Sequence, residues 1–200
     1  MDAASWDERY RERELVWSAG PNAFVAEQLA EHPRGRVLDL AAGEGRNALW
    51  LAEQGFDVEA VEFSAVAIEK ARQLADHRQV AVTFTQADLT EEQDLQPADV
   101  VLLAYLHLPR TAEREVLRRA ATLVAPGGTF LLIAHARRNL DEGVGGPPDP
   151  EVLPTPDDIT EAIAGSGLVV DRAGEVTRDV EVEGERRTAI DVLVRAHRPL

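Results

Sequence analysis

The stretch Val37-Leu38-Asp39-Leu40-Ala41-Ala42-Gly43-Glu44-Gly45-Arg46-Asn47-Ala48 constrains the fold more than any other part of this chain. Its first half, with Arg36, reads as a short apolar strand. Its second half opens a helix with apolar positions at Ala48, Leu49, Leu51 and Ala52, ended by Gly55. Between the two lies a glycine turn. Gly43 allows the sharp bend, and Gly45 lets a ligand approach the backbone closely. The first amides of the helix then face that ligand and favour a carboxylate or a phosphate.

The rest of the chain repeats the same alternation. Residues 58–61 read as a second strand, and Ser64 caps a helix whose apolar face carries Ile68, Ala71 and Ala75. Residues 80–85 and 98–103 read as a third and a fourth strand. An amphipathic helix over 110–124 follows, and Pro126-Gly127-Gly128 turns the chain into a fifth strand, 129–134. Near-continuous apolar strands alternating with helices argue for an α/β fold with a parallel sheet covered on both faces. Upstream, Trp6, Tyr10 and Trp17 recur at roughly helical spacing, and the break at Ser18-Ala19-Gly20-Pro21 leaves Pro21 as the first residue of a second helix ending near Glu31. Residues 137–154, with four prolines and three glycines, read as a loop. Thr155-Pro156-Asp157-Asp158 is a helix start, with a cap, then proline, then acids at the positive dipole end. Residues 168–182 and 188–196 close the chain as a hairpin about Glu183-Gly184-Glu185. One domain over residues 1–200 is expected, without internal repeats.

Composition narrows the chemistry. The chain has no cysteine, which excludes disulfides, thiolate metal sites and a cysteine nucleophile. The 36 acidic against 21 basic residues leave a net charge of −15, a field that repels phosphate backbones and anionic membranes. No apolar run approaches the roughly 20 residues of a membrane span, and the charged opening MDAASWDERYRERE has no signal-peptide core. A cytoplasmic protein with a small-molecule substrate, and with neither nucleic acid nor membrane as partner, is expected. Oligomeric state is open. Lys70 is the single lysine, which argues against Schiff-base chemistry. His32, His77 and His197 show no ligand spacing, so no metal is expected.

Four features fall where strands end, the edge at which open α/β sheets bind ligands. They are the glycine turn, Glu62 seventeen residues after Gly45, Gln86-Ala87-Asp88-Leu89, and Ala104-Tyr105-Leu106-His107-Leu108-Pro109. An acid at the position of Glu62 suits the ribose hydroxyls of a nucleotide-like ligand.

On these motifs the chain resembles the class I S-adenosylmethionine-dependent methyltransferases, and within them the small tellurite-resistance and thiopurine methyltransferase-like group. VLDLAAGEGRNALWLAEQG resembles the glycine-rich motif, AVEFS the ribose-binding motif, QADL the adenine-binding motif and LVAPGGTFLLIA the motif around the fifth strand; WDERY and VWSAGPNAFV resemble the group's N-terminal lid. One departure is Glu62, where the group more often has aspartate. The resemblance implies a Rossmann-like seven-stranded sheet in the order 3-2-1-4-5-7-6, strand 7 antiparallel, with S-adenosyl-L-methionine as cofactor and S-adenosyl-L-homocysteine as product. It further implies that Asp39, Ala41 and Gly43 line the methionine part and that Arg46 reaches its carboxylate. Glu62 would take the ribose hydroxyls and Phe63 would lie against the adenine. Asp88 would accept the adenine amino group beside the Leu89 backbone. Ala104 and Tyr105 would flank the sulfonium. Residues 1–20, with Trp6, Tyr10 and Trp17, would form a lid, and residues 137–154 the substrate-side loop.

Each residue also has a plainer reading. Asp39 could be satisfied by loop amides, Glu62 could be a solvated strand end, and Asp88 could be a turn cap. The aromatics of the first helix could simply pack it down. His107 and His135 could be loop histidines. A soft acceptor such as sulfur needs no general base, whereas oxygen or nitrogen would usually need one, for which His107 and Tyr105 are the candidates. Two other functions fit parts of the pattern. Gly43-x-Gly45-x-x-Ala48 formally satisfies a dinucleotide fingerprint, which admits an NAD(P)-dependent oxidoreductase. The 35 residues before the first strand, Asp39 just before the turn and the closing hairpin count against it. A non-catalytic S-adenosylmethionine-binding module is the other, and a turnover assay separates it from an enzyme.

Overall fold

The computed structural model describes residues 3–12, 20–182 and 184–200. In chain order the elements are α1 Ala3–Arg11, α2 Ala23–Leu29, β1 Arg36–Leu40, α3 Arg46–Glu53, β2 Asp57–Glu62, α4 Ala65–Arg78, β3 Thr83–Gln86, β4 Ala98–Ala104, α5 Arg110–Thr122, β5 Val124–His135, α6 Asn139–Glu142, α7 Pro156–Ile163, β6 Val169–Val182 and β7 Glu185–His197. The strands form one sheet in the order β3-β2-β1-β4-β5-β7-β6. β1 pairs in parallel with β2 and β4, and β2 with β3. β7 runs antiparallel to both β5 and β6. This is the order and the strand direction expected from the sequence. No helix among the described residues is long and apolar enough to cross a membrane.

The chain divides into two compact units, residues 1–103 and 104–200. In the first, Val37, Leu38, Leu40, Ala60, Val61 and Val100 to Leu103 are all at most 1% exposed. Burial of a leucine or valine of this kind contributes about 1.5–3 kcal/mol. The near-unbroken apolar runs of β1 and β4 are therefore explained by coverage on both faces. Helix α2 begins at Ala23, two residues after the Pro21 that the sequence marks as its first residue. Asn22, not Pro21, is the boundary, because its side-chain oxygen accepts the amides of Phe24 and Val25. The third strand is shorter than its alternation implied, starting at Thr83.

In the second unit, β5 starts at Val124 and runs through Pro126-Gly127-Gly128, which the sequence reading had taken as a turn. The Gly127 amide donates to the Arg198 carbonyl, and the Arg198 amide to Gly128, so this stretch pairs with the chain's end. The predicted helix start at Thr155 is a complete capping box. The Thr155 hydroxyl oxygen accepts the Asp158 amide, and the Asp158 carboxylate accepts the Thr155 amide. Residues 137–154 are less irregular than expected. They hold α6 and a 3-10 turn over Pro150–Val152. The two ends of the segment are joined, since the Arg137 amide donates to the Pro154 carbonyl and Arg137 Nε to the Leu153 carbonyl. β6 and β7 form the expected hairpin, paired from Val169↔His197 to Val182↔Glu185.

Candidate functional site

The glycine turn of the first unit takes up the left-handed backbone three times in five residues, at Ala41 (φ 60°), Gly43 (φ 58°) and Gly45 (φ 76°). Alanine rarely adopts this conformation, and such strain concentrates where a ligand is bound. At Gly45 a Cβ would also lie 3.2 Å from the Ala71 methyl. The Ala42 amide donates to the Val61 carbonyl, tying the turn to β2.

Two buried carboxylates stand at this turn. Asp39 is 1% exposed, and among the described residues neither of its oxygens has a hydrogen-bond partner. Burial pushes its carboxyl up to about 7, against the opposing pull of the Ala48 amide and the Arg46 charge. Glu62, at the end of β2, accepts the Gly43 amide on Oε2 and the Ser64 amide on Oε1, each at 2.9 Å. Burial raises its carboxyl above the ordinary glutamate value, opposed by those amides. Ionised, it has about four acceptor sites, of which the Gly43 and Ser64 amides occupy two, and the Phe63 amide also favours the ion. Phe63 is half-buried beside it, and its carbonyl accepts Gln86 Nε2. Asp88 is exposed and closes a turn, with Oδ1 accepting the Thr90 amide and hydroxyl at 2.8 and 2.7 Å. The capping role is thus realised at this residue, while Leu89 beside it is half-buried.

Helix α1 is docked on α4. Asp7 Oδ1 accepts the Ser64 hydroxyl at 2.5 Å, and Tyr10 is 3% exposed. Lys70 Nζ donates to the Tyr10 carbonyl at 2.5 Å and to Glu44 Oε1 at 3.3 Å. The chain's single lysine thereby joins α1, α4 and the glycine turn. Trp6 lies 5.5 Å from Tyr10 between ring centroids, which is the packing role considered for these aromatics. Trp17 lies outside the described residues. Asp7, Lys70 and Asn47, whose Oδ1 accepts the Asn22 amide, take on contacts that the sequence assigns to none of them.

The second unit gathers Tyr105 and His107 with three residues the sequence did not single out together. Tyr105 follows β4 with φ 62°, an unusual value for a bulky side chain. Its hydroxyl donates to Asp191 Oδ2 at 2.8 Å, and Arg178 Nε donates to the same oxygen at 2.7 Å. His135 Nδ1 lies 3.1 Å from Asp191 Oδ1. Burial favours protonation of Asp191, but His135, Arg178 and Tyr105 hold its carboxyl below the usual range. The His107 and His135 rings stack at 5.4 Å. His107 Nε2 is buried without a hydrogen-bond partner, and burial with the neighbouring His135 lowers its pKa to about 3. His107 is thus a neutral imidazole and a weak base. Ala104 is half-buried. The one sequence signal for this cluster is Asp191 itself, a lone acid in the apolar run Ala189-Ile190-Asp191-Val192-Leu193-Val194. Among the described residues no group of three histidine or acidic side chains is placed to hold a metal ion.

Comparison with known proteins bears on this geometry. A family model for a methyltransferase domain matches residues 37–128. Glycine N-methyltransferase of Rattus norvegicus is 30% identical over 179 residues, covering 80% of this chain and 61% of that protein. The chain spans about half to three-fifths of the length of the first curated relatives it matches. Over shorter stretches it also matches 23S rRNA methyltransferases. A structure described for the conversion of a disulfide bond into a thioacetal group during echinomycin biosynthesis superposes with a TM-score of 0.76 at 25% identity, covering 98% of this chain and 91% of that one. TehB from Haemophilus influenzae has the same fold, with a TM-score of 0.74 at 16% identity over 89% of this chain and 62% of its own.

Proposed function

Since the chain belongs to the class I S-adenosylmethionine-dependent methyltransferases, we propose that its first unit binds S-adenosylmethionine and that the protein transfers the methyl group to a small-molecule acceptor. The observation that carries this reading is Asp39, a buried carboxylate with both oxygens unpartnered beside a strained glycine turn. A carboxylate left so needs a cationic partner, and the α-ammonium of the cofactor's methionine end is one. Arg46 at the start of α3 suits the α-carboxylate. The remaining acceptor capacity of Glu62 suits the ribose hydroxyls. Phe63 offers an apolar face to the adenine, and Asp88 and Leu89 are the residues for its edge. When bound, S-adenosylmethionine supplies a methyl carbon activated by its sulfonium, so that the acceptor's lone pair forms the new bond as the carbon–sulfur electron pair returns to sulfur. The protein's own task is to hold the reacting groups in place and to exclude water. His107 and Tyr105, next along the chain after β4, are the candidates for the acceptor side.

Isothermal calorimetry tests this reading. S-adenosylhomocysteine is expected to bind in the micromolar range, near −8 kcal/mol. Asp39→Asn, similar in shape but without the charge, should weaken it by at least about tenfold, roughly 1.4 kcal/mol. Binding of NADH with none of S-adenosylhomocysteine would overturn the proposal. Binding without methyl transfer to any member of a broad acceptor panel would make the protein a binding module.

A further inference from the structure

The second unit contains an unsatisfied group of its own. Among the described residues His107 Nε2 is buried and has no hydrogen-bond partner, and the same holds for His135 Nδ1 and Asp191 Oδ1, which lie 3.1 Å apart, while Asp191 Oδ2 accepts from Tyr105 and Arg178. Orphaned buried nitrogens are rare in native proteins and call for an explanation. The surroundings of this one are ordered at a cost. Tyr105 is held in left-handed backbone, and Gly146 lies so close to His135 that a Cβ would come within 2.8 Å of the ring.

Resting on the methyltransferase reading, we propose that His107 Nε2, framed by the Tyr105 and His135 rings, anchors the methyl acceptor and selects an uncharged hydrogen-bonding group over a carboxylate or a phosphate. The charges of the cluster decide the class. The arginine of the cluster, Arg178, is committed to Asp191 at 2.7 Å with its guanidinium 5.7 Å from the Tyr105 ring centre. His107 is neutral and adds none. An anionic acceptor would lose its hydration here without gaining a free counter-charge. A cationic acceptor fares no better, because the Asp191 charge is already matched by Arg178 on Oδ2, which also accepts the Tyr105 hydroxyl, while Oδ1 faces His135 Nδ1 at 3.1 Å. An uncharged X–H group fits, since a neutral imidazole nitrogen is either a donor or an acceptor according to its tautomer; as the lone pair of X takes the methyl group and the carbon–sulfur pair returns to sulfur, the proton of X–H is released to water. His107 is then a contact residue and not the strong base that the sequence left open.

The test uses the full chain with methyl-labelled S-adenosylmethionine and probes that share one aromatic ring. The uncharged probes are phenol, aniline and benzyl mercaptan; the anionic ones are benzoate and phenyl phosphate. Methyl transfer is expected to the uncharged set and not to the anions. His107→Phe keeps a flat ring but removes Nε2, and should lower kcat/KM about 10- to 100-fold. His107→Gln restores a polar atom and should recover part of that loss. Both variants should bind S-adenosylhomocysteine within about twofold of the parent. Methylation of benzoate or phenyl phosphate as efficient as that of phenol overturns the proposal. So does undiminished activity of His107→Phe, or no transfer to any probe by protein that still binds S-adenosylhomocysteine. Loss of cofactor binding in the parent protein would instead overturn the methyltransferase reading.

Discussion

Asp39 shows what a single buried residue contributes. Its carboxyl titrates near 7 instead of near 3.8, because burial penalises the ion more than Ala48 and Arg46 favour it. At pH 7 the group is therefore about half protonated before any ligand binds. A bound ammonium would stabilise the ion and expel that proton. Calorimetry of S-adenosylhomocysteine at pH 7, repeated in buffers of different ionisation enthalpy, should report the release of roughly half a proton per site. Affinity should fall as pH drops below 7, where the acid form is the one to be displaced. Asp39→Asn should bind more weakly and release none of this proton. A buffer-independent enthalpy in the unmodified protein would show that Asp39 does not meet the ammonium. Glu62 is raised by burial as well, but its two oxygens already accept the Gly43 and Ser64 amides, which favour its ion.

Among the elements, α1 and α5 carry the informative groups. Helix α1 donates Asp7 to the start of α4, where its carboxylate accepts the Ser64 hydroxyl next to the Ser64–Ala67 cap. Asp7→Ala should cost about 1 kcal/mol of stability, as loss of a cap does. It should speed amide exchange across residues 3–11 while leaving β5 and β7 protected. Unchanged exchange would mean that Tyr10 and Lys70 hold the helix without it. In α5, Glu113 is 6% exposed and burial, reinforced by Asp158, pushes its carboxyl up to about 7 against the pull of Arg110. Between about pH 4.5 and 7 the folded chain then binds a proton that the unfolded chain does not. Its contribution to stability is present below 4.5, declines as pH rises through that window, and is gone above 7. The loss is on the order of 2–3 kcal/mol. Denaturant melts between pH 5 and 8 should show this decline together with the one Asp39 causes over the same range, and Glu113→Gln should make it shallower. An identical pH dependence in the variant would place Glu113 in water.

For the whole molecule, net charge separates the kinds of acceptor found among its relatives. Both glycine N-methyltransferase and rRNA methyltransferases match parts of this chain, and these acceptors differ greatly in charge. A protein with a net charge of −15 repels a polyphosphate at every distance within the screening length. Filter binding with ribosomal RNA at about 0.15 M salt is expected to show no retention, and labelled methyl groups should not enter RNA. Retention that weakens steeply with added salt would reveal a local basic surface and would move the acceptor from small molecules to nucleic acid.

What could be read before folding was local. The β1–turn–α3 unit, Ser64 as a cap, the Thr155 capping box and the terminal hairpin each announce themselves through a period or a turn residue within a few positions. The strand order followed from the resemblance those motifs carry. Asp39 and Glu62 were recognisable for the same reason, as acids at the turn and at a strand end. Pro126-Gly127-Gly128 misled because its pairing partner is Arg198, some seventy residues away. Asp88 has two readings that share one pattern; Oδ1 accepts the Thr90 amide and closes the turn, and the adenine contact belongs to the proposed function. The remainder was decided by tertiary structure alone. Lys70 meets Glu44, Asp7 meets Ser64 and Tyr105 meets Asp191 across 26, 57 and 86 residues of chain. The desolvation that shifts Asp39, His107 and Glu113 likewise comes from neighbours brought in by folding. A sequence pattern reports the spacing of a residue along its own element, whereas the charge state and the hydrogen-bond partner of a buried group depend on which distant atoms displace its water.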